Sequence, residues 1–289
     1  MRVLILGGTR EARDLAAALV DEPGVTVTTS LAGRVRDPAL PAGETVVGGF
    51  GGVAGLRAFL HARRIDVVVD ATHPFAATMS AHAIAACAAP DGGAAPDGGA
   101  DADGGADADG DAVPLLRLAR PGWTSRPGDD WHRVPELAAA AERARALCPP
   151  GGAILVTTGR RELAPFAADP DRHYVIRAVD PPTVTLPPWH TVLLDRGPYT
   201  VDGETRLLRD HDVRVLVTKD SGGDLTVAKL DACRALGLPV VMVDRPAQDG
   251  PRPPAWPDAA GVLQALQALR PAGRPAHEKE DQSDATRQW

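Results

Sequence analysis

The chain has 289 residues, of which 44% are hydrophobic, and its formal net charge is −7. This composition excludes a wholly disordered chain, and the length predicts about two domains that bury a core without disulfides or metals. No apolar run approaches the ~20 residues that cross a membrane, so we expect a soluble cytoplasmic protein with no membrane partner and no metal site. Cys87, Cys148 and Cys233 lie far apart in predicted helices, which indicates buried thiols of a reducing compartment.

The negative charge is concentrated in one segment. Residues 89–112 read APDGGAAPDGGADADGGADADGDA and hold seven aspartates without a lysine or arginine. The segment has no side chains that form a core, so we expect a disordered surface loop. The remainder of the chain has no basic excess, which argues against a nucleic-acid partner. Residues 271–289 are polar and are expected to form a flexible tail.

Short apolar runs alternate with alanine- and leucine-rich stretches along the first part of the chain. The runs predict strands at Arg2–Leu6, Val25–Thr29, Asp66–Val69 and Pro114–Leu118. The stretches between them predict helices at Thr9–Val20, Val53–Arg63 and Ala76–Ala88. Strands that are apolar throughout and separated by helices indicate a parallel sheet covered on both faces.

The same alternation is repeated in the second part of the chain. Strands are predicted at Ala153–Thr157, Tyr174–Val179, Thr191–Leu194, Arg214–Thr218 and Val240–Val243, and helices at Leu137–Leu147, Leu225–Leu236 and Asp258–Leu269. Prolines and glycines break the pattern at Arg120–Trp131. We therefore predict an α/β fold with mainly parallel sheets, a nucleotide-binding domain over residues 1–120 and a second domain over 121–270. The expected ligand site is a cleft between the carboxyl ends of the two sheets.

The turn after the first strand carries the first chemical signal. Gly7 and Gly8 join the strand directly to a helix, and Thr9 and Glu11 follow them. Glycines let a ligand approach the backbone, and the free N–H groups of a helix N-terminus favour a phosphate. The turn departs from G-x-G-x-x-G, because Thr9 stands at the second glycine position and Ala12 at the third. The pattern predicts a dinucleotide pyrophosphate site, and a purely structural turn is the alternative.

The end of the second strand discriminates between cofactors. The stretch Thr28–Arg36 has no acid that would hold the ribose hydroxyls of NADH. Its hydroxyl groups and two arginines, Arg34 and Arg36, suit the 2′-phosphate of NADPH. We therefore expect NADPH as the cofactor, the alternative being an ordinary solvated loop with surface arginines.

Polar residues also follow the third strand. Asp70, Thr72 and His73 lie at the predicted carboxyl edge of the sheet. His73 is placed to donate a hydrogen bond to a cofactor or substrate oxygen. The alternative is a structural histidine or a helix cap.

Three polar, glycine-containing loops follow strands of the second part, namely Thr157–Arg161, Asp195–Tyr199 and Thr218–Gly223. The cations of these strand ends would make this side of the cleft positive: Arg160, Arg177, Arg196 and Lys219. Because arginine binds carboxylates through two parallel hydrogen bonds, we expect a small-molecule ligand with several carboxylates. The sequence lacks the motifs of zinc proteases, serine hydrolases and P-loop enzymes.

Together, these motifs resemble the precorrin-6A reductase family of cobalamin (vitamin B12) biosynthesis. The residues that carry the resemblance are VLILGGTREA at 3–12, DATHPFA at 70–76, RGPY at 196–199, TKDSGG at 218–223, AK at 228–229 and DRP at 244–246. The resemblance covers about residues 1–246 outside the acidic segment, which departs from the compact pattern of the family.

The resemblance implies a two-domain, Rossmann-like enzyme that reduces a ring double bond of precorrin-6A with NADPH to give precorrin-6B. Relatives in the anaerobic route act on the cobalt-containing substrate, and the sequence leaves that alternative open. Two further alternatives are a different NADPH-dependent reductase and a non-catalytic nucleotide-binding sensor.

The resemblance and the strand-end analysis together assign roles to individual residues. Cofactor binding is expected at Gly7, Gly8, Thr9, Glu11, Ser30, Gly33, Arg34, Thr72 and His73. Substrate carboxylates are expected at Arg160, Arg196, Lys219, Ser221 and Gly222. If a catalytic proton donor exists, Lys219 or Asp220 is the first candidate and His73 the second.

We expect Arg34→Ala to weaken the binding of NADPH more than that of NADH, because the change removes a partner of the 2′-phosphate. Titrations with the two reduced cofactors measure the two dissociation constants. Equal weakening for both cofactors would contradict the assignment of Arg34 to the phosphate.

Overall fold

A computed structural model describes residues 1–33, 40–89, 112–247, 250 and 252–269. The strands of this part are, in chain order, β1 (Arg2–Leu6), β2 (Thr26–Leu31), β3 (Glu44–Val47), β4 (Val67–Asp70), β5 (Leu115–Leu118), β6 (Trp131–Val134), β7 (Ala153–Val156), β8 (His173–Ala178), β9 (His190–Leu194), β10 (Val213–Lys219), β11 (Val240–Val243) and β12 (Ala255–Trp256). The α-helices are α1 (Arg10–Val20), α2 (Val53–Ala62), α3 (Ala77–Cys87), α4 (Leu137–Leu147), α5 (Val201–Asp210), α6 (Ala228–Leu236) and α7 (Ala259–Ala268).

Within the described ranges the strands form two six-stranded sheets, in the orders β3-β2-β1-β4-β5-β12 and β9-β8-β7-β10-β11-β6. Every pair of neighbouring strands is parallel. The first order is the doubly wound order of dinucleotide-binding sheets, and the second repeats it except that its last position is taken by a strand from the start of that half. The predicted α/β fold with parallel sheets is therefore confirmed.

Alternate side chains of each central strand enter different cores. In β1, Val3 and Ile5 pack with α1 and α7, whereas Leu4 and Leu6 pack with α2 and α3 on the opposite face. The second sheet is likewise covered by α4 on one face and by α5 and α6 on the other. This two-sided burial explains why central strands such as β1, β4, β7 and β11 are apolar at most positions. It also leaves the carboxyl strand ends as the edge where polar residues collect.

The C-terminal segment returns to the first sheet. β12 pairs with β5, and Val262 and Leu266 of α7 pack against Leu15 and Leu19 of α1. From the sequence the last helix is predicted in the second half, because local periodicity does not reveal which sheet a helix covers. The domain limits at residues 120 and 270 themselves stay a prediction.

The structure also bears on the predictions for the cysteines, the acidic segment and membrane-spanning helices. All three cysteines are buried free thiols, as predicted. The expected disorder of the acidic segment concerns residues 90–111, which lie outside the described part, as do Arg34 and residues 271–289. Among the described helices, none has the length and apolar character needed to cross a membrane.

Leu266→Ala tests whether α7 belongs to the core of the first sheet. Leu266 is 1% exposed, and truncation of a fully buried leucine typically costs about 2–5 kcal/mol of unfolding free energy. Urea denaturation measures this loss. Leu269→Ala is the matched control, because Leu269 lies just beyond α7 and is 45% exposed. Equally small losses for the two variants would contradict the docking of α7.

Candidate active site

The turn between β1 and α1 passes very close to β2. The Gly7 N–H donates to the Ser30 carbonyl oxygen at 2.9 Å, and a Cβ on Gly7 would lie 2.8 Å from the methyl carbon of Thr29. Only glycine fits at this first position. Gly8 has a φ of +113°, and a Cβ placed on it would have no atom within 4 Å. The backbone at Gly8 is therefore open to a ligand.

Thr9 and Glu11 fix the start of α1. The Thr9 hydroxyl accepts from the Ala12 N–H at 3.1 Å and donates to the Ala71 carbonyl at 2.9 Å, so the turn is tied to the end of β4. The Glu11 carboxylate accepts from Arg120 Nη1 at 2.8 Å. Burial raises the pKa of Glu11, but a hydrogen bond from its own backbone N–H and the Arg120 guanidinium together bring that pKa below its ordinary value.

The end of β2 lies on one side of this turn. Ser30 is buried, and Gly33 follows with a φ of +64°. Arg34, the predicted phosphate ligand, lies outside the described residues. Of the residues predicted for the 2′-phosphate, the structure places Ser30 beside the turn and Gly33 near Val47 at the end of β3.

The end of β4 lies on the other side and is organised by a buried carboxylate. Asp70 accepts from the Thr72 N–H and hydroxyl at 3.1 and 2.7 Å, and from the Ser80 hydroxyl at 2.6 Å. These bonds fix Thr72 at the edge of the sheet. Asp70 itself is 4% exposed, so its role is to hold Thr72 and Ser80 in place.

His73 is held as a neutral imidazole. Its Nδ1 accepts from the Phe75 N–H at 3.2 Å, so the remaining ring hydrogen lies on Nε2. Burial, followed by the positive charges of Arg120, Lys219 and Arg245, lowers the pKa of His73 to about 3. At neutral pH His73 is therefore a hydrogen-bond donor through Nε2, and it carries no extra proton to transfer.

A cavity of about 510 Å³ opens on the β4 and β5 side of the turn. Its polar lining comes from the start of α1, the end of β4, α3, β5 and the segments after β5 and β11, and it includes Thr9, Glu11, Thr72, Arg117, Arg120 and Arg245. The cavity therefore adjoins the open backbone at Gly8. It continues the site toward the second sheet.

Lys219 lies at a contact between the two halves of the chain. It ends β10 of the second sheet, and its Nζ lies 4.9 Å from the centre of the Phe75 ring, which belongs to the first half. The ammonium also forms an ion pair with Glu162. Lys219 and the His73–Phe75 segment, which the sequence analysis derived separately, therefore meet across the cleft.

Asp220, the residue after Lys219, is buried and bonded to other residues of the second half. One of its carboxylate oxygens accepts from the Trp123 N–H at 3.0 Å, and the other accepts from Arg133 Nη2 at 2.8 Å. Both oxygens are used as acceptors within the protein. These two bonds tie Asp220 into the surrounding structure, and its predicted role as a proton donor stays a prediction.

Ser221 and Gly222 contact Arg120 and Pro121 of the connection between the sheets. The Ser221 carbonyl accepts from Arg120 Nε at 2.7 Å. Gly222 has a φ of +65°, and a Cβ there would clash with the Pro121 carbonyl oxygen. The glycine is therefore required by the docking of the connection between the sheets, whereas the sequence suggested a ligand contact.

The arginines of the second half are in three different situations. Arg160 is half-buried, with its Nη1 4.0 Å from an Asp180 oxygen. Arg196 is exposed and has no hydrogen bond or ion pair to another residue in the part described. Arg177 is buried against Glu204, with 2.5 Å between Nη1 and Oε1. Arg196 is therefore the exposed guanidinium of this set, Arg160 lies beside Asp180 at the edge of the sheet, and Arg177 is enclosed.

Arg120 and Arg245 line the cavity but were not predicted as site residues. Each follows the carboxyl end of a parallel strand, β5 and β11, and this is the same signal that led to Lys219 and Arg160. Arg120 was missed because the prolines and glycines after it indicate a break between domains. In the sequence, Arg245 stands out only as part of the DRP motif at 244–246.

These features define an α/β protein of the class that binds its ligands where the carboxyl ends of two doubly wound sheets face each other. The sequence matches the family model described as "Precorrin-6x reductase CbiJ/CobK" over residues 2–91 and 106–267. The chain therefore belongs to the precorrin-6x reductase family and is an oxidoreductase of cobalamin biosynthesis. The resemblance found in the sequence motifs is confirmed.

Individual relatives agree with this assignment. The precorrin-6A reductase of Rhodococcus erythropolis is 49% identical over 265 residues, which cover 91% of this chain and 96% of that protein. A solved structure of "CobK precorrin-6A reductase" is 40% identical, with a TM-score of 0.78 and coverage of 93% of this chain and 97% of its own. The cobalt-precorrin-6A reductase of Methanothermobacter thermautotrophicus is 27% identical over 259 residues, which cover 85% of this chain and 77% of that protein.

The lowered pKa of His73 predicts a pH dependence of stability. As the pH falls from about 6.5 toward about 3, the unfolded chain binds a proton on His73 while the folded protein resists it. The free energy of unfolding should therefore decrease over this range, and His73→Gln should remove part of that decrease. Urea denaturation at a series of pH values measures it. His61→Gln, at an exposed position of α2, is the control. An unchanged slope in His73→Gln would show that the imidazole protonates normally in the folded protein.

Proposed function

We propose that this protein reduces a ring double bond of precorrin-6A with NADPH to give precorrin-6B. The observation that carries the proposal is the open backbone at Gly8, which adjoins a cleft where His73 and Lys219 of opposite halves approach each other. The metal-free substrate is favoured because the relatives named for it are more similar to this chain than those named for the cobalt form.

A dinucleotide fits the turn after β1. We assign the pyrophosphate to Gly7, Gly8, Thr9 and Glu11, because the backbone is open at Gly8 and the N-terminus of α1 favours an anion. The carboxylate of Glu11 does not oppose this, because Arg120 compensates its charge. The 2′-phosphate is assigned to Ser30, Gly33 and Arg34, and the ribose and nicotinamide to Thr72 and His73. When bound, NADPH supplies a hydride for one carbon of the ring double bond.

The substrate is assigned to the second half. Precorrin-6A bears several carboxylates, and Arg160 and Arg196 present guanidinium groups at the carboxyl edge of that sheet. Ser221 and Gly222 are engaged by the connection between the sheets, so we propose the two arginines as the principal carboxylate ligands.

Lys219 is the proposed proton donor. Its ammonium lies at the cleft beside Phe75, and a proton from Nζ completes the addition at the carbon next to the one that receives the hydride. His73 donates a hydrogen bond through Nε2 and orients the bound groups. Glu162, paired with Lys219, keeps the ammonium at the cleft.

Two broader expectations accompany this function. A cytoplasmic location suits an enzyme that uses NADPH, and the small-molecule substrate suits a protein without a nucleic-acid partner. Both stay predictions.

The test is anaerobic incubation of the protein with metal-free precorrin-6A and NADPH. We expect loss of the reduced-cofactor absorbance together with a product that has gained two hydrogens by mass. Oxidation of NADPH with cobalt-precorrin-6A but not with metal-free precorrin-6A would overturn the choice of substrate. If NADPH binds but neither substrate is reduced, the protein is a different reductase or a nucleotide sensor.

Arg196→Gln tests the substrate half of the proposal in the same assay. Loss of one charge-assisted hydrogen bond should raise KM for the precorrin about tenfold and leave KM for NADPH unchanged. Arg209→Gln is the matched control, since Arg209 is exposed in the last turn of α5, at the end remote from the carboxyl edge. A rise in KM for NADPH instead would place Arg196 on the cofactor.

A further inference from the structure

One side chain bonds to loops of both sheets at the cleft. Arg120 follows β5 of the first sheet, and its Nη1 donates to Glu11 in the first turn of α1 at 2.8 Å. Its Nε donates to the carbonyl of Ser221, in the loop after β10 of the second sheet, at 2.7 Å. We call Glu11, Arg120 and Ser221 the clasp. The arginine side chain is only 17% exposed, so water competes little for these bonds.

Neighbouring residues pack closely against the Arg120 side chain and bond to its backbone. A Cβ on Gly223 would lie 3.1 Å from Arg120 Cδ, so a larger residue there would press on the arginine stem. The Arg120 carbonyl accepts from Arg245 Nη1 at 2.9 Å, and Arg245 Nε donates to the Asp220 carbonyl at 2.9 Å. Both ends of the Arg120 residue, backbone and guanidinium, are therefore fixed to the loop after β10.

The clasp lies between the groups that the reaction must align. Glu11 belongs to the proposed pyrophosphate turn, and the clasped loop directly follows Lys219, the proposed proton donor. Arg120 also lines the cavity and acts on the charge state of His73. A shift of Arg120 would therefore change the distance between the two halves of the site without removing any ligand of substrate or cofactor.

We propose that Arg120 is a positioning residue of the reduction, which sets the separation between the Gly7–Gly8 turn and Lys219. This inference rests on the proposed function. Hydride transfer depends steeply on alignment, and a displacement of about 1 Å can cost about 100-fold in rate. The clasp therefore acts on the rate of transfer more than on binding.

The kinetic test is Arg120→Lys. Lysine keeps the charge but lacks the planar fork that donates in two fixed directions. We expect the single-turnover rate of precorrin-6A reduction to fall about 10- to 100-fold, with KM for NADPH and for the precorrin changed less than about threefold. Glu11→Gln weakens the clasp from its other end and should also lower the rate; because Glu11 belongs to the proposed pyrophosphate turn, this variant is compared only by its single-turnover rate at saturating NADPH. The double variant should lose less than the product of the two single effects.

Arg126→Lys is the matched control. Arg126 lies on the same connection between the sheets, but its ion pair with Asp231, at 2.6 Å, stays within the second half. The Arg126→Lys variant should reduce precorrin-6A at the single-turnover rate of the wild type. Wild-type rates in Arg120→Lys would overturn the proposal. A loss confined to KM for NADPH would overturn it as well, because it would make Arg120 a cofactor ligand.

Hydrogen exchange on the full chain separates this inference from the proposed function, since it needs neither substrate nor cofactor. In Arg120→Lys, amides of residues 7–12 and of residues 220–223 should both exchange faster, although they belong to different sheets. Arg126→Lys should change neither segment. Faster exchange in one segment only, or in neither, would show that the clasp does not couple the halves, whatever the outcome of the precorrin assay.

Discussion

The double hydrogen bond of Arg120 is the interaction on which the arrangement of the cleft depends. Its guanidinium donates to Glu11 at 2.8 Å and to the Ser221 carbonyl at 2.7 Å. The two sheets share no strand in the described part of the chain, so contacts at their edges decide how they face each other. A planar, permanently charged fork suits this task, because it satisfies two acceptors in fixed directions.

Charge is distributed unevenly across the same cleft. The positive charges of Arg120, Lys219 and Arg245 add to burial in lowering the pKa of His73 to about 3. The carboxylate beside the glycine turn, that of Glu11, is paired with Arg120. The fixed cations of this cleft therefore favour anionic ligands over cationic ones.

Deeply buried strands could be predicted from the sequence better than partly exposed ones. The central strands β1 and β4 are apolar at nearly every position and were predicted from these short apolar runs. β3 and β6 were missed because they are edge strands with partly exposed side chains. α5 was missed because it is largely polar, although Thr200 and the acids at its start are a recognisable N-terminal signal.

The sequence by itself determined the local features: the alternation of strands and helices, the parallel sheets, the glycine turn and the polar residues that follow the strands. The motifs also indicated the reductase family. Only the tertiary structure decided which strand-end residues line the cavity and which join the two halves. Asp220 and Trp123, which are bonded to each other, lie 97 positions apart, and α7 covers a sheet whose first strand begins at Arg2. Hydrophobic periodicity is a local property, so it carries no information about such distant partners.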